Sequence, residues 1–544
     1  MSKRSPTQDP PRPPACATAP VLWSLLPLAT GILIARDGWT WLLPVCALLI
    51  LLACQGIPPA RRTVVGLGFL AGSGLALTTA ENPHPDWLTL PQREASFTLR
   101  VEEMFHARRP RCISGIGKLL QTDIPHDTAS SRRAAFYLET ESPPAAGQVL
   151  QCRGVLTYLP ALDSPDAYQV YLINRDIFLS INRGKVLPGT TSPPRLSRLR
   201  RKAFNSSRDR LLTGSADDTS PGRVLASMLL GSRSLLNDDR VRLYRRSGTY
   251  HLFAVSGLHV GCVALFIGWI CSLLRMPVRW RLALSLLATW YYVWLTGSSP
   301  SAVRAGIMIS CMGAGRELLR QPHLFPALAF SAWIVLILDP RQLLSLGFQL
   351  SYGVVASIVL IGIPLADAIK KIFHGPVRVR RARPPWRYRL SKLVWAGVDL
   401  LCISISASLA SVPLILQHFQ LFTPVSVLLG VLLNPLASLV IMAGSMIILG
   451  GPLASVPVGW LARATWPLIR LMEFLLESGL RIPGSSMELR WSWPPTGTLL
   501  LVAMLAAAWG LQALRQGTVP LPAYSHLVPP LLITAGMLVG TVGT

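Results

Sequence analysis

Four stretches of this chain set side chains that can do chemistry among apolar neighbours. In Tyr250-His251-Leu252-Phe253-Ala254-Val255-Ser256-Gly257-Leu258-His259-Val260-Gly261, helical spacing puts Ser256 and His259 on one stripe, with His251 upstream on nearly the same face. Gly257 and Gly261 make an adjacent G-x-x-x-G stripe, which would let a neighbouring backbone approach closely. A serine beside a histidine suggests a nucleophile and its base, but residues three apart on one helix rarely align that way, and no third, orienting group is evident. Two readings stay open: a polar pair bonded across helices for packing, and part of the lining of an aqueous path.

The second stretch, Thr296 to Gly306, is a hydroxyl-rich turn broken by Pro300 that leads into a helix carrying Ser301 and Arg304 near its start. An arginine there either snorkels to the membrane interface or meets an anionic substrate. In the third, Ser345, Gln349 and Tyr352 recur at i, i+4 and i+7, with Ser351 beside them, on an otherwise apolar helix. The fourth pairs Ser404, Ser408 and Ser411, ahead of Pro413, with Ser426, Gly430 and Asn434, ahead of Pro435. Both runs keep helical spacing, and both end at a proline expected to kink or break the helix. Buried polar groups without partners are costly, so several such stripes together point to a lined cavity rather than a solid bundle. No G-x-x-x-x-G-K-[ST] phosphate loop occurs, since Gly115-Ile116-Gly117-Lys118 lacks its spacing, and the nine histidines include no H-x-H or H-E-x-x-H cluster. ATP hydrolysis, a metal and other cofactors are therefore not expected, and neither is a catalytic residue.

Composition says what must hold these stripes. Of the 544 residues, 51% are hydrophobic and 14% charged, and 52 Lys plus Arg against 26 Asp plus Glu leave a formal charge of +26. A water-soluble domain is usually about one quarter charged, and a disordered polycation would not be half apolar, so the composition selects a polytopic α-helical membrane protein. Residues 1–19 read as a cytoplasmic tail without the pattern of a cleaved signal peptide. Three spans are expected within 20–80, at 20–35, 39–55 and 63–80, and ten more at 250–274, 282–296, 302–315, 324–339, 345–363, 393–417, 424–449, 453–477, 496–513 and 527–543. That makes about thirteen, each using about 20 apolar residues.

Residues 81–194 hold no span-length apolar run. Ser96–Val101, Ala134–Thr140, Val149–Tyr158 and Asp176–Ile181 lean to strand between turn residues, which reads as a small β-barrel or sandwich inserted outside the membrane. It contains Cys112 and Cys152, for which a disulfide and free buried thiols are both open. Residues 195–249 read as basic amphipathic linker helices. Arg195, Arg198, Arg200, Arg201, Lys202, Arg208 and Arg210 alternate with Leu196, Leu199 and Phe204, and Arg240, Arg242, Arg245 and Arg246 follow. The first of these helices either lies in the headgroup layer or forms a basic collar facing a polyanion. Nine cations with no acid between Lys370 and Lys392 mark a cytoplasmic loop. Segment 453–477, with Arg463, Arg470, Glu473 and Glu477, leaves two topologies: if it crosses, the C-terminus is extracytoplasmic, and if it lies flat the end of the chain changes sides.

These motifs resemble the membrane part of the ComEC-type competence proteins, inner-membrane channels that take up single-stranded DNA in bacterial transformation. The match runs through Leu229-Leu230-Gly231-Ser232-Arg233-Ser234, His251 to Gly261, Thr296 to Met308, Leu346 to Tyr352 and Asn434-Pro435, in the family's order, and residues 250–544 read as its transmembrane channel core. The resemblance implies an oligonucleotide-binding (OB) fold for the external β domain and a disulfide between Cys112 and Cys152. It also implies a multi-pass protein of the bacterial cytoplasmic membrane with its N-terminus inside. DNA phosphates would then meet Arg195, Arg198, Arg201, Lys202, Arg208, Arg240, Arg242, Arg245 and Arg246. The path would be lined by His251, Ser256, Gly257, His259, Gly261, Ser301, Arg304, Gln349, Ser351, Tyr352 and Asn434. Many members continue into a metallo-β-lactamase-like domain; this chain carries no H-x-H-x-D-H motif, so a separate nuclease is expected as a partner. An external DNA receptor, a cytosolic ATP-driven translocase and a second copy in a homo-oligomer complete the expected set. The alternatives are a transporter or flippase for an anionic lipid or cell-wall precursor, and a scaffold for competence machinery.

Overall fold

Alternation of apolar and polar residues builds the first elements. In the structure, a computed structural model, residues 28–30, 32, 71–72, 94–105, 112–123, 132–140, 144, 147–159, 169, 172–173, 177–187, 193–215, 217, 219–318, 324–374, 385–450, 455–491, 496–516 and 541–543 are described. The spans expected at 20–35, 39–55 and 63–80 lie almost wholly outside these residues. Strands β1 (Glu94–Phe105), β2 (Cys112–Thr122), β3 (Arg133–Glu139), β4 (Val149–Tyr158) and β5 (Leu179–Val186) close a barrel in the order β1-β2-β3-β5-β4. All neighbours are antiparallel except β3 and β5, which run parallel. Period-2 inward residues such as Leu150, Cys152 and Leu156 of β4 meet Phe97, Leu99, Phe136 and Ile181 in one core.

Three of these strands coincide with segments expected from the sequence, β5 overlaps the expected Asp176–Ile181 only at 179–181, and β2 is not among those expected. It carries Gly115 and Gly117; β1 shifts register between Val101 and Glu103, and a Cβ at Gly115 would fall 2.2 Å from the Glu103 carbonyl oxygen. Glycine is what allows the strand to curl there. The expected disulfide is also corrected, because both thiols are free. Cys152 lies opposite Phe97 and donates to its carbonyl oxygen (3.7 Å), whereas Cys112 opens β2 just before Ser114, which faces Phe105 at the far end of β1. That is on the order of 25 Å along an extended strand, against a limit of about 7 Å between bridged Cα atoms. Burial pushes the Cys152 thiol up to about 12.

The rest of the described chain is mostly helical: α1 (Arg195–Leu211), α2 (Pro221–Leu230), α3 (Asp238–Arg246), α4 (Gly257–Leu273), α5 (Val278–Leu295), α6 (Pro300–Leu318), α7 (Leu324–Leu338), α8 (Leu346–Ser357), α9 (Ile363–His374), α10 (Pro385–Phe419), α11 (Val425–Gly450), α12 (Ser455–Leu480) and α13 (Thr496–Gln516). A π-helical turn, Ile358–Gly362, joins α8 to α9. Strands β6 (Leu421–Phe422), β7 (Met487–Trp491) and β8 (Thr541–Gly543) form a small sheet, so the last expected span, 527–543, ends in strand rather than helix. Pro413 and Pro435 do not break their helices: α10 and α11 run through them. The Pro413 carbonyl oxygen accepts from Trp491 Nε1 (3.0 Å), which fixes β7 to that turn.

Three helical stretches are long and apolar enough to cross a membrane, Leu346–Phe373, Ser391–Phe419 and Val425–Gly450, with shorter apolar helices at Pro221–Leu230, Gly257–Leu273, Leu324–Leu338 and Thr496–Leu511. The protein is thus a largely helical membrane protein carrying a five-stranded barrel. The chain folds as two compact units, each assembled from separated stretches, and the linear division expected from composition cuts across both. One contains 1–78, 307–434 and 479–544; the other contains 79–306 and 435–478.

Candidate functional site

In the unit that holds the barrel, α2 is a short plug. Ser220 caps its N-terminus by accepting from Gly222 N (3.3 Å), Pro221 opens it, and Gly231 in the left-handed region (φ +69°) ends it. All but Arg223 of its residues are buried, which the basic linker reading did not anticipate. Tyr292 of α5 donates its hydroxyl to the Leu229 carbonyl oxygen at 2.6 Å.

Next to this plug sits the corner built from Ser256 and His259. The structure corrects the single polar stripe expected there: His251 lies in a separate 3-10 turn, Tyr250–Phe253, and α4 starts only after Ser256, its N-cap. Ser256 N donates to His259 Nδ1 (3.3 Å), and the Ser256 hydroxyl lies 2.9 Å from the same nitrogen. A backbone amide can only donate, so Nδ1 is the bare nitrogen and the ring proton sits on Nε2. His259 is fully buried, and its Nε2 has no aligned hydrogen-bond partner among the described residues. The arrangement is a helix cap in which histidine stands where glutamate usually reaches back. No acid contacts the ring among the described residues.

The G-x-x-x-G expectation is corrected as well. A Cβ at Gly257 would make only ordinary contact with Ala305 (3.8 Å), and one at Gly261 would meet nothing within 4 Å. Among the described residues no backbone presses on this face, and the two glycines leave it open to them. Arg304 on α6 is buried at 3% exposure, with Ser301 half-buried one turn earlier, so the arginine does not snorkel outward. The turn before α6 is set by Gly297 (φ +87°) and Ser298 (φ +53°), and Ser299 accepts from Ala302 N (3.4 Å) to cap the helix.

The basic residues separate into distinct environments. On α1, Arg195, Arg198, Arg201 and Lys202 are exposed, and an open groove of about 700 Å³ runs along Arg198, Arg201, Lys202, Asn205 and Arg210. Leu196 (64%) and Leu199 (58%) are exposed on the same helix, a combination suited to a headgroup layer. Arg208 bonds Asp209. On α3, Arg240 is withdrawn from the expected phosphate contacts: it is half-buried against Glu473 of α12 (Nε to Oε1 2.7 Å) and donates to the Ser220 carbonyl oxygen (3.0 Å). Arg242 pairs with Asp239. Arg245 and Arg246 remain exposed.

The other unit carries the remaining expected residues. Ser345 caps α8 by accepting from Phe348 N (3.2 Å), Gln349 and Ser351 are half-buried, and Tyr352 is buried. Thr498 N donates to Gln417 Oε1 (2.9 Å), and the Thr498 hydroxyl lies 3.5 Å from Gln349 Oε1, which gathers α8, α10 and α13 around one polar cluster. The two serine runs do meet: Ser404 donates to the Val427 carbonyl oxygen (2.8 Å), beside Gly430 and one turn before the half-buried Asn434. Ser357 likewise donates to the Ser406 carbonyl oxygen (2.8 Å) next to the π turn. Lys370 pairs with Asp399, while residues 375–384 of the basic loop lie outside the described residues.

Residues 228–516, over half of the chain, match the family model described as "Competence protein". Among curated relatives, the chain is 28% identical over 223 residues to ComE operon protein 3 of Bacillus subtilis (strain 168), covering 41% of this chain and 26% of the relative. It is 27% identical over 218 residues to Competence protein ComA of Neisseria gonorrhoeae (38% and 30%), and 24% identical over 306 residues to Uncharacterized protein YcaI of Escherichia coli (strain K12) (53% and 37%). The matched part thus spans well under half the length of each of these relatives. No solved structure matches the chain. With α3 to α13 inside the matched region, together with the Ser256/His259 corner, Arg304 and the Gln349 cluster, the chain belongs to the competence protein family.

Proposed function

We propose that the protein is the inner-membrane conduit through which single-stranded DNA enters the cell during natural transformation. The observation that carries this reading is the family match over 228–516, which contains both the open Gly257/Gly261 face and the buried Arg304. Small residues leave room beside the Ser256/His259 cap, and a buried guanidinium supplies positive charge where a phosphate chain must be desolvated. The barrel order β1-β2-β3-β5-β4, with its parallel β3–β5 pair, fits an OB fold, a module that holds single strands on the face of its second and third strands. In this reading the barrel and linker face outside and receive DNA from an external receptor. The 370–392 loop faces the cytoplasm, where an ATP-driven translocase pulls, and a separate nuclease removes the second strand. The protein forms no covalent bond with its cargo.

The test is uptake of labelled DNA by a transformable host. Deleting the chain should leave DNA outside the cytoplasm, and Arg304→Gln should reduce internalisation at least tenfold with the protein still present in the membrane. Normal uptake in the deletion strain would overturn the proposal, and unchanged uptake with altered envelope lipids would favour a lipid transporter.

A further inference from the structure

Tyr250 holds two guanidinium groups. The Arg233 guanidinium carbon lies 4.8 Å from its ring centroid and that of Arg245 lies 5.6 Å away, the first from the 3-10 turn Arg233–Leu235 and the second from the last turn of α3. Phe253 packs on the ring at 6.2 Å, and Tyr244 meets Phe253 edge-on at 4.6 Å, so the aromatic platform is anchored in the core. Both arginines are exposed, and neither forms an ion pair among the described residues, unlike Arg240 and Arg242 on the same helix. An arginine stacked on an aromatic face keeps its N–H edge free and has lost much of its rotamer freedom.

We propose that Arg233 and Arg245, held on Tyr250, form a phosphodiester-binding clamp for single-stranded DNA at the entrance to the Ser256/His259 corner. This deepens the DNA-conduit reading and rests on it. Charge alone would admit a lipid phosphate equally. The surface decides between them: among the described residues, no large hydrophobic side chain from 200 to 257 is exposed and Leu258 alone reaches 36% beside the corner, whereas an interfacial lipid site needs several apolar side chains to enter the acyl boundary. Exposed leucines occur instead on α1. The clamp is a wet cationic surface, and the chain continues from it through His251 directly to the buried histidine. Arg233 adds to the basic residues expected from the sequence, and Tyr250 supplies the platform that pattern reading overlooked.

The test uses the full chain in nanodiscs and fluorescent oligo(dT) titrated at several salt concentrations. Arg233→Gln and Arg245→Gln should each weaken binding and reduce the slope of log affinity against log salt by about 0.7, the value for one lost single-strand phosphate contact. Tyr250→Leu should weaken binding with no change of charge, Tyr250→Phe should restore it, and Arg246→Gln, off the ring, should shift the slope less. Gel filtration of each variant checks that it remains folded. Slopes equal to wild type in Arg233→Gln and Arg245→Gln, or an equal effect from Arg246→Gln, would overturn the clamp while leaving the conduit reading in place. No oligo(dT) binding by the wild type would instead overturn the conduit reading. Repeating the titration with phosphatidylcholine alone and with added phosphatidylglycerol gives the last arm. If the double variant binds oligo(dT) normally but loses phosphatidylglycerol, the clamp serves lipid and the proposal falls.

Discussion

At the scale of single residues, identical side chains have been put to different ends. Arg240 and Arg245 sit five residues apart on α3, and nothing in the sequence around them tells which is half-buried. The difference comes from Glu473, more than two hundred positions away, whose carboxylate takes Arg240 out of solvent, with side-chain exposures of 12% and 16%. Removing one partner of such a pair strands a buried charge, which costs about 3 kcal/mol or more. Glu473→Gln is accordingly expected to destabilise the protein by about that amount in urea unfolding, whereas Arg242→Gln, whose partner Asp239 is exposed, should change stability by under about 1 kcal/mol. Joint replacement of Arg240 and Glu473 by Met and Leu should recover most of the loss. Equal effects of Glu473→Gln and Arg242→Gln would show that burial does not set the value of the pair.

At the scale of elements, the segment with two open topologies now has a face. On α12, Trp460, Arg463, Pro467, Arg470, Leu471, Phe474 and Glu477 are exposed along one side, mixing charges with large apolar groups. The flank of that side packs on the linker: Gly459 lies against Thr213, Arg463 over Gly214, and Glu473 against Arg240. A crossing helix would put Arg470 near mid-bilayer at a cost of about 3 kcal/mol, and α11, which is long enough to cross, ends at Gly450 just before α12 begins. The helix is therefore expected to lie in the headgroup layer. Single cysteines at 452 and 484, in a background stripped of the native nine, should then react with an impermeant maleimide from the same side of the cell membrane. Labelling from opposite sides would show that α12 crosses, and only then would the C-terminus stand outside. The helices themselves were legible in advance because apolar length is a strong local signal. What escaped was β2, which carries two glycines, and α2, whose basic flanks hid nine residues of core. The Ser256/His259 relation was legible as proximity but not as a cap, since spacing alone cannot tell a helix start from a helix interior.

At the scale of the whole molecule, sequence order and spatial order disagree. The barrel-bearing unit takes 435–478 from beyond the 307–434 stretch that belongs to the other unit. Its plug depends on that late return, because a side chain at Gly444 would fall 2.0 Å from Leu229 Cδ1. Chains truncated after Asn434 would leave Leu229 uncovered and Arg240 without Glu473, so they are expected to be degraded rather than to accumulate, as membrane-fraction immunoblots would reveal. Stable accumulation of such a truncation would argue that the two stretches fold independently. The excess charge of +26 likewise resolves into parts with separate physical roles: a half-buried tie at Arg240, leucine-flanked cations on α1, and the ring-mounted pair beside Tyr250.

The π turn at Ile358–Gly362 works as a phase shifter within the longest apolar stretch of α8 and α9. A π turn is in effect one residue inserted into an α-helix, and one residue corresponds to about 100° of rotation. The half that carries Gln349 and Tyr352 is thereby turned out of step with the half that carries Lys370. Excising a single residue between 358 and 362 would swing Lys370 by that angle away from Asp399 while leaving composition and hydropathy almost untouched. The chain thus encodes the aim of its charged end by counting residues along this apolar stretch, a quantity that no individual side chain carries.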